Sequence, residues 1–169
     1  MLLRFGVLTA SDRSARGERP DSSGPALVEF IRSQGWDVLR TAILPDDLNT
    51  LREILTVWAD RGDLDIILIT GGTGFAPRDV TPEAVRAVVE RLTPGLDEAM
   101  RAASLRLTPH AMLSRAVSGI RKKTLIVSLP GSPKGAVENL QVILPALPHA
   151  IELLRESPQA ETGHLPGNS

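Results

Sequence analysis

Residues 65–70, DIILIT, contain an uninterrupted apolar run that is rich in β-branched side chains. A strand with one face in water alternates apolar and polar residues, whereas a strand buried on both faces has a continuous apolar run. Such runs are typical of parallel sheets, because the helices that connect parallel strands cover both faces of the sheet. The segment therefore favours an α/β fold.

Other short apolar runs predict further strands at residues 2–10, 36–44, 117–120 and 124–129. Segments with apolar residues at helical spacing lie between most of these strands. An alternation of strands and helices, with one added strand pair, predicts an open sheet with helices on both faces. We therefore expect a three-layer α-β-α fold with a mostly parallel central sheet.

Proline positions mark two of the predicted helices. Thr81 and Pro82 have the pattern of a helix cap followed by a first helical residue, and the apolar face of that helix is expected to extend to Leu92. Pro145 and Pro148 interrupt a long apolar stripe near the end of the chain. A kink or a restart of the helix is expected there.

Size and charge exclude several classes of protein. The chain has 169 residues, which suits one domain at roughly 150 residues per domain; we expect residues 1–156 to form it and residues 157–169 to be a disordered tail. The net charge of -1 argues against a sequence-independent nucleic-acid binder or a polybasic membrane anchor. Cysteine is absent, and no apolar stretch approaches the ~20 residues of a membrane span. A soluble, cytoplasmic protein is expected.

Polar residues follow the predicted strands. The loops concerned contain Ser11 and Asp12, Asp46 and Asp47, residues 71–79, and residues 131–134. In open α/β sheets, ligands bind outside the carboxyl ends of the strands. We therefore expect these loops to converge on a binding site, although a polar loop such as residues 11–21 is equally compatible with a mobile surface connection.

The cluster Gly71-Gly72-Thr73-Gly74 can present successive backbone N–H groups to an anion. Glycine permits positive φ and lets a phosphate approach the main chain closely. The positive end of the helix that starts near Pro82 adds to the field. The alternative is a tight turn without a ligand, and the spacing matches neither the dinucleotide-binding glycine pattern nor a Walker loop.

Arg78 and Asp79 lie next to the glycine cluster. A carboxylate beside a bound phosphate is unfavourable unless a cation lies between them, and Mg²⁺ prefers carboxylate and phosphate oxygens. Asp46, at a neighbouring strand end, is the second candidate carboxylate. The alternatives are an ion pair with Arg78 or a helix-start charge for Asp79, and turn formation after Pro45 for Asp46.

Residues 130–134, PGSPK, repeat the pattern of strand, glycine and helix start. Gly131, Ser132 and Lys134 can bind a second anion, or Ser132 can simply cap the following helix. Residues 121–123, RKK, predict a solvated hairpin turn, although their charge could also meet an anionic substrate.

Several longer motifs occur in one order along the chain: LTASD at 8–12, PDD at 45–47, TGGTG at 70–74, PRDVTPEA at 77–84, SRAVSG at 114–119 and SLPGSPK at 128–134. In order and spacing they resemble the MogA/MoaB family, which includes the gephyrin G domain. The resemblance covers about residues 3–155. Several long motifs in one order are far more specific than a single glycine cluster.

The resemblance implies a MogA-like fold with a molybdopterin pocket, usually assembled as a homotrimer, with a hexamer as an alternative. MogA-type members adenylylate molybdopterin with ATP and Mg²⁺, and a molybdenum insertase is a possible partner. Asp46 and Asp79 match the family's acidic active-site positions, which implies roles in catalysis and metal binding. The residues expected to bind substrate or nucleotide are Ser11, Asp12, Gly71, Gly72, Thr73, Gly74, Arg78, Pro130, Gly131, Ser132 and Lys134.

The expected activity is therefore transfer of AMP from ATP to the molybdopterin phosphate, with release of pyrophosphate. A non-catalytic, MoaB-like molybdopterin carrier is the alternative. Two further alternatives are another phosphate-handling enzyme of this fold, as in CinA-like or MoeA-like proteins, and a purely structural trimer.

Overall fold

The computed structural model describes residues 1–158. The strands are β1 (Arg4–Ala10), β2 (Asp37–Leu44), β3 (Ile66–Thr70), β4 (Arg91–Leu92), β5 (Ser118–Arg121) and β6 (Thr124–Leu129). The helices are α1 (Asp12–Ala15), α2 (Ser23–Ser33), α3 (Leu48–Asp60), α4 (Thr81–Val88), α5 (Pro94–Leu105), α6 (Pro133–Ile143) and α7 (Leu147–Leu154). Short 3₁₀ segments follow α5 at Pro109–Leu113 and α6 at Leu144–Ala146.

The described strands form one sheet in the order β2-β1-β3-β6-β5-β4. The first four strands of that order run parallel, β5 pairs antiparallel with β6, and β4 pairs antiparallel with β5. Because β1 lies between β2 and β3, the chain reverses its direction across the sheet there. Ligands of open α/β sheets bind at such a switch point. The expected mostly parallel, three-layer fold is confirmed.

Two apolar cores lie on opposite faces of the sheet. Ile66 and Leu68 of β3 pack in the core formed with α2, α5, α6 and α7, whereas Ile67 and Ile69 pack in the core formed with α3 and α4. All of these side chains are 0% exposed. The continuous apolar run therefore has the cause that was expected, burial on both faces.

The segment 11–21, for which a mobile surface connection was one of two alternatives, begins with a helical turn. Ser11 caps α1 by accepting a hydrogen bond from the backbone N–H of Ser14 at 3.2 Å. Near the end of the segment, Asp21 accepts hydrogen bonds from the hydroxyl of Thr9 at 2.8 Å and from the backbone N–H of Gly24 at 3.1 Å. A single turn is too short to produce a hydrophobic period, so the sequence pattern did not predict this helix.

Two expectations about α4 were wrong. The residue before the helix is Val80, and Thr81 does not cap it; the Thr81 hydroxyl instead donates to the carbonyl oxygen of Gly71 at 2.8 Å. The helix ends before Leu92, which pairs with Gly119 in the two strands β4 and β5 and is 50% exposed. The expected interruption at Pro145 and Pro148 is confirmed, because a 3₁₀ segment separates α6 from α7.

Residues 121–123 form the β5–β6 hairpin turn, which confirms the prediction of a solvated turn. Their charges are neutralised locally: Arg121 and Lys122 pair with Asp60 at 2.9 and 3.0 Å, and Lys123 pairs with Glu156 at 3.0 Å. The turn precedes β6, so it lies at the end of the sheet opposite the carboxyl ends of the parallel strands.

No helix within residues 1–158 combines the length and apolar character needed to span a bilayer. Most of the expected tail, residues 159–169, lies outside the described residues.

Candidate functional site

The loops after β1, β2, β3 and β6 enclose a cavity at the carboxyl ends of these strands, which we call the polar cavity. Its lining includes the predicted site residues Ser11, Asp46, Gly71, Gly72, Asp79, Gly131 and Ser132. It also includes polar residues that the sequence did not single out, namely Thr9, Ser14, Arg19, Asp21, Ser22 and Ser23. The expected convergence of loops is therefore present, and the loop before α2 also contributes to it.

The glycine loop, residues 71–74, leaves β3 with a backbone that only glycine adopts without strain. Gly71 and Gly72 have φ of 98° and 64°, in the left-handed region that L side chains rarely occupy. A methyl group on Gly71 would overlap the carbonyl oxygen of Ala10, and one on Gly72 would lie 2.9 Å from Oδ1 of Asp46. Both glycines are needed for the turn and for the close approach of the neighbouring loops.

Hydrogen bonds tie the glycine loop to the rest of the site. The Thr70 hydroxyl donates to the carbonyl oxygen of Pro130 at 2.6 Å. Thr81 donates from its hydroxyl to Gly71 at 2.8 Å and from its N–H to the carbonyl oxygen of Gly72 at 3.1 Å. The loop is therefore anchored through its carbonyl groups.

The N–H groups of the glycine loop differ in whether they already donate a hydrogen bond. The N–H of Gly71 donates to the carbonyl oxygen of Leu129 at 3.1 Å, so it is not available to a ligand. Within residues 1–158, the N–H groups of Gly72, Thr73 and Gly74 have no hydrogen-bond acceptor. Successive free N–H groups form an anion-binding concavity. The part of the cluster suited to a phosphate is therefore residues 72–74.

Arg115 braces the glycine loop from outside the polar cavity. Its N–H donates to the carbonyl oxygen of Thr73 at 2.8 Å, and its Nε donates to that of Gly74 at 2.8 Å. Nη2 donates to the carbonyl oxygen of Asp79 at 2.7 Å, and Nη1 to the carboxylate of Glu83 at 2.5 Å. Sequence reasoning missed this role, and its only signal was the position of Arg115 in one of the family motifs.

Asp12 and Arg78, both expected to contact a substrate, are bound to each other. The Arg78 guanidinium donates to both carboxylate oxygens of Asp12, at 2.9 and 2.8 Å. This contact holds the pKa of Asp12 below its usual range. Neither residue is among those that line the polar cavity. Their geometry favours a supporting role that joins the loops after β1 and β3.

The two candidate catalytic carboxylates, Asp46 and Asp79, line the same cavity. Oδ1 of Asp46 is buried and has no hydrogen-bond partner within residues 1–158. Burial raises the pKa of Asp46, and the nearby carboxylates of Asp12 and Asp79 contribute to the rise. Oδ2 of Asp79 accepts a hydrogen bond from the N–H of Ala76 at 3.0 Å. The site thus contains an unpartnered carboxylate oxygen beside a second carboxylate.

This donor set of two carboxylates fits a hard, oxygen-binding cation such as Mg²⁺. Within residues 1–158, no group of three or more His, Cys, Asp or Glu side chains could hold a metal. Mg²⁺ is usually bound by one or two carboxylates together with substrate phosphates, whereas structural zinc sites have four protein ligands that are mostly Cys or His. Asp46 and Asp79 could hold Mg²⁺ with the help of a bound phosphate.

A second cavity, of about 470 Å³, lies beside the glycine loop, between α5, the 3₁₀ segment that follows it, and α6. We call it the apolar cavity, because much of its lining is apolar: Met100, Leu107, Ala111, Leu113, Ala116 and Pro130. The predicted residues Thr73, Gly74 and Lys134 line this cavity instead of the polar one, and Ser132 lines both. The predicted site is therefore divided between two adjoining cavities.

The apolar cavity contains one deeply buried carboxylate. Asp97 of α5 is 9% exposed and accepts hydrogen bonds from the N–H and hydroxyl of Ser118 at 2.9 and 2.6 Å. Burial raises the pKa of its carboxyl. Sequence reasoning missed Asp97, because an acidic residue in a first helical turn ordinarily indicates a favourable helix-end charge.

Ser132 also caps α6, which was the alternative to anion binding for residues 130–134. Its hydroxyl accepts a hydrogen bond from the N–H of Gly135 at 3.1 Å, and Pro133 opens the helix. Lys134 is exposed, with its Nζ 3.8 Å from the carboxylate of Glu138. Capping holds this loop against both cavities, so the structural and binding interpretations are compatible.

The sequence also matches a known family over the residues that build this site. Residues 6–149 match the family described as a probable molybdopterin binding domain. The chain belongs to this family. The resemblance drawn from the TGGTG and SLPGSPK motifs is thereby confirmed.

Members of the molybdopterin binding family are similar to this chain over most of its length. A molybdopterin adenylyltransferase of Helicobacter pylori strain J99 is 40% identical over 154 residues, which cover 90% of this chain and 88% of the relative. Gephyrin of Dictyostelium discoideum is 45% identical over 165 residues, which cover 92% of this chain but 23% of gephyrin. The crystal structure of the molybdopterin biosynthesis enzyme MoaB from Thermus thermophilus has a TM-score of 0.87 and 49% identity, and the match covers 93% of this chain and 99% of that one.

Proposed function

We propose that this chain is a molybdopterin adenylyltransferase, which transfers AMP from ATP to the terminal phosphate of molybdopterin and releases pyrophosphate. Relatives that carry this name match it over nearly the full length of both chains. The likeness to a structure named as a molybdopterin biosynthesis enzyme supports the same area of metabolism.

The observation that carries the proposal is the meeting of two unlike cavities at the glycine loop. Adenylyl transfer joins two large anionic substrates through their phosphates, so the enzyme needs one polar space for a polyphosphate and a neighbouring, less polar space for a ring system. Gly71 and Gly72 line the polar cavity, Thr73 and Gly74 line the apolar cavity, and Ser132 lines both. The two substrates would meet between the glycine loop and Ser132.

We assign the ATP phosphates to the polar cavity and the pterin to the apolar cavity. The free N–H groups of residues 72–74 would donate hydrogen bonds to phosphate oxygens in the two cavities that adjoin the loop. The pterin ring would pack on apolar side chains such as Met100, and Asp97 would accept hydrogen bonds from N–H groups at the ring edge. Lys134 would supply positive charge near the pterin phosphate.

Magnesium fits the polar cavity. Asp46 and Asp79 would hold the ion, and when bound it would neutralise part of the charge on the nucleotide phosphates. The unpartnered Oδ1 of Asp46 supports this assignment, because a buried carboxylate oxygen without a donor is costly unless a cation or donor reaches it.

The reaction requires an in-line approach of one phosphate to another. An oxygen of the pterin phosphate forms a bond to the α-phosphorus of ATP, the bond from that phosphorus to the α–β bridging oxygen breaks, and the electron pair leaves with pyrophosphate. The main barrier is the approach of an anion to a polyanion. Positioning by the glycine loop and neutralisation of charge would supply most of the rate enhancement.

The direct test is an assay of the purified chain with molybdopterin and Mg-ATP. The proposal predicts pyrophosphate and adenylylated molybdopterin in equal amounts. The alternative, a non-catalytic carrier, predicts molybdopterin binding by calorimetry without pyrophosphate. Molybdopterin binding without product would therefore show that the chain is a carrier and not an adenylyltransferase.

We further propose a homotrimer, as the family resemblance implies, with a hexamer as the alternative. Phe75, Leu107 and Met112 are 67%, 72% and 65% exposed, and we propose that subunit contacts cover these apolar side chains. A molybdenum insertase would then take up the adenylylated product, and the use of ATP would place the reaction in the cytoplasm. Light scattering of the purified chain tests the assembly.

A further inference from the structure

The polar cavity has an uneven charge. Three of its lining side chains are carboxylates, those of Asp21, Asp46 and Asp79. Arg19 is the single Lys or Arg among the lining residues that belong to the described part of the chain. A cavity that receives a nucleotide polyphosphate needs positive charge beyond one metal ion. Arg19 is therefore the basic side chain in position to supply it directly.

Two other basic residues near the cavity, Arg78 and Arg16, are already paired. Arg78 is bound to both carboxylate oxygens of Asp12, and Arg16 is bound to Glu18 at 2.7 and 3.0 Å. Arg19 is exposed and makes no hydrogen bond or ion pair with any residue from 1 to 158. Its guanidinium is permanently charged and presents a fork of donors that matches phosphate geometry.

The chain fixes the backbone on both sides of Arg19. The N–H of Glu18 donates to the carbonyl oxygen of Arg13 at 2.9 Å, which closes the turn after α1. Two residues beyond Arg19, the carboxylate of Asp21 is held by the hydroxyl of Thr9 at 2.8 Å. A short span between two anchored points keeps this side chain at the edge of the cavity.

We propose that Arg19 binds the β- and γ-phosphates of ATP and stabilises them as they leave as pyrophosphate. The proposal rests on the adenylyl transfer proposed above. The glycine loop lies at the strand ends, whereas Arg19 is exposed and lies at the solvent side. Phosphates held there are the ones remote from the transferred AMP. When the bond from the α-phosphorus to the bridging oxygen breaks, the electron pair passes to pyrophosphate, and the guanidinium stabilises the added charge.

The test compares Arg19→Gln with Arg13→Gln, which removes the same charge from an exposed residue of α1 that does not line the polar cavity. Calorimetry with inorganic pyrophosphate and Mg²⁺ measures binding, and initial rates give kcat/KM for ATP. Loss of charge-assisted hydrogen bonds predicts about a ten- to hundredfold loss in both for Arg19→Gln. Arg13→Gln should stay within about twofold, because it removes only a screened surface charge. Arg19→Lys should fall between, because it retains the charge without the fork.

Equal losses in Arg19→Gln and Arg13→Gln would overturn the assignment. They would indicate that any positive charge near α1 has the same effect, without direct contact to the phosphates. Unchanged pyrophosphate affinity in Arg19→Gln would also overturn it. Thermal unfolding of each variant shows that it is folded. If the wild type forms no adenylylated molybdopterin, the proposed function fails; if it does and Arg19→Gln matches it, only the role of Arg19 fails.

Discussion

Asp12 and Asp46 exchange hydrogen bonds: the N–H of Asp12 donates to Oδ2 of Asp46 at 2.9 Å, and the N–H of Asp46 donates to Oδ1 of Asp12 at 3.0 Å. This pair ties the loop after β1 to the loop after β2, and Arg78 joins both to the loop after β3. Only Oδ2 of Asp46 is used, so Oδ1 remains without a partner within residues 1–158. Hydrogen bonds thus hold the loops of the site together, while one buried carboxylate oxygen makes no hydrogen bond.

Replacing Asp46 with Asn should abolish adenylyl transfer without lowering stability. Burial raises the pKa of Asp46 in the folded state, so its ionised carboxylate opposes folding at neutral pH. The amide removes that charge and can still accept from the N–H of Asp12. We expect turnover to fall by about a hundredfold or more and the Tm to equal or exceed that of the wild type. A Tm lower by more than about 3 °C, roughly 1 kcal/mol for a chain of this size, would contradict this explanation.

The pH dependence of turnover should follow the same group. The proposed binding of Mg²⁺ requires ionised Asp46, so activity should be lost as the pH falls through its folded-state pKa, which is raised by burial. The acidic limb of kcat/KM should therefore lie above about pH 4, the ordinary range of aspartate. The contribution of Asp46 to stability has the opposite sign, because protonation removes a charge that opposes folding. A limb at or below about pH 4 would exclude Asp46 as the titrating group.

Gly72→Ala tests the shape of the anion site, with Gly62→Ala as its control. Both glycines have positive φ, 64° and 74°, so both substitutions introduce similar backbone strain, about 1–2 kcal/mol. A methyl group on Gly72 would lie 2.6 Å from the Thr81 hydroxyl, whereas one on Gly62 would meet no atom of residues 1–158 within 4 Å. Calorimetry with Mg-ATP should show lost binding for Gly72→Ala alone. Equal binding in both variants would argue against a phosphate at the glycine loop.

Arg115→Ala should impair activity through the glycine loop, and Arg121→Ala provides the matched control. Arg121 also binds a carboxylate and a backbone carbonyl, those of Asp60 and Val88. It lies at the end of the sheet opposite the carboxyl ends of the parallel strands. Both variants should lose about 1–2 kcal/mol of unfolding free energy. Only Arg115→Ala should raise the KM for ATP, by about tenfold or more, because the free N–H groups lose their fixed direction. A similar KM for ATP in both variants would show that Arg115 stabilises the fold but does not orient the glycine loop for ATP.

The architecture was predictable because it rests on local patterns. The apolar run of β3 indicated burial on both faces, and the polar loops that followed the strands indicated where a site would form. The positions of Asp46 and Asp79 in one cavity were predicted in this way, since a carboxyl-end position can be recognised once the parallel strands are assigned.

The remaining features depend on contacts between distant parts of the chain. Arg115 reaches Gly74 across 41 positions, and no local pattern distinguishes it from a surface arginine. Thr81 has the sequence signature of a cap, but a tertiary hydrogen bond to Gly71 takes its hydroxyl. The division of the site into two cavities was likewise not predictable, because it depends on how α5 and α6 pack beside the glycine loop.

We propose that Asp79 acts in adenylyl transfer beside the glycine loop. The most direct measurement is transfer of label from α-³²P-ATP to molybdopterin by the wild type and by Asp79→Asn, with molybdopterin affinity and Tm measured on the same samples. We expect labelled product from the wild type, and loss of product in Asp79→Asn with molybdopterin affinity and Tm essentially retained. Undiminished label transfer by Asp79→Asn would contradict it.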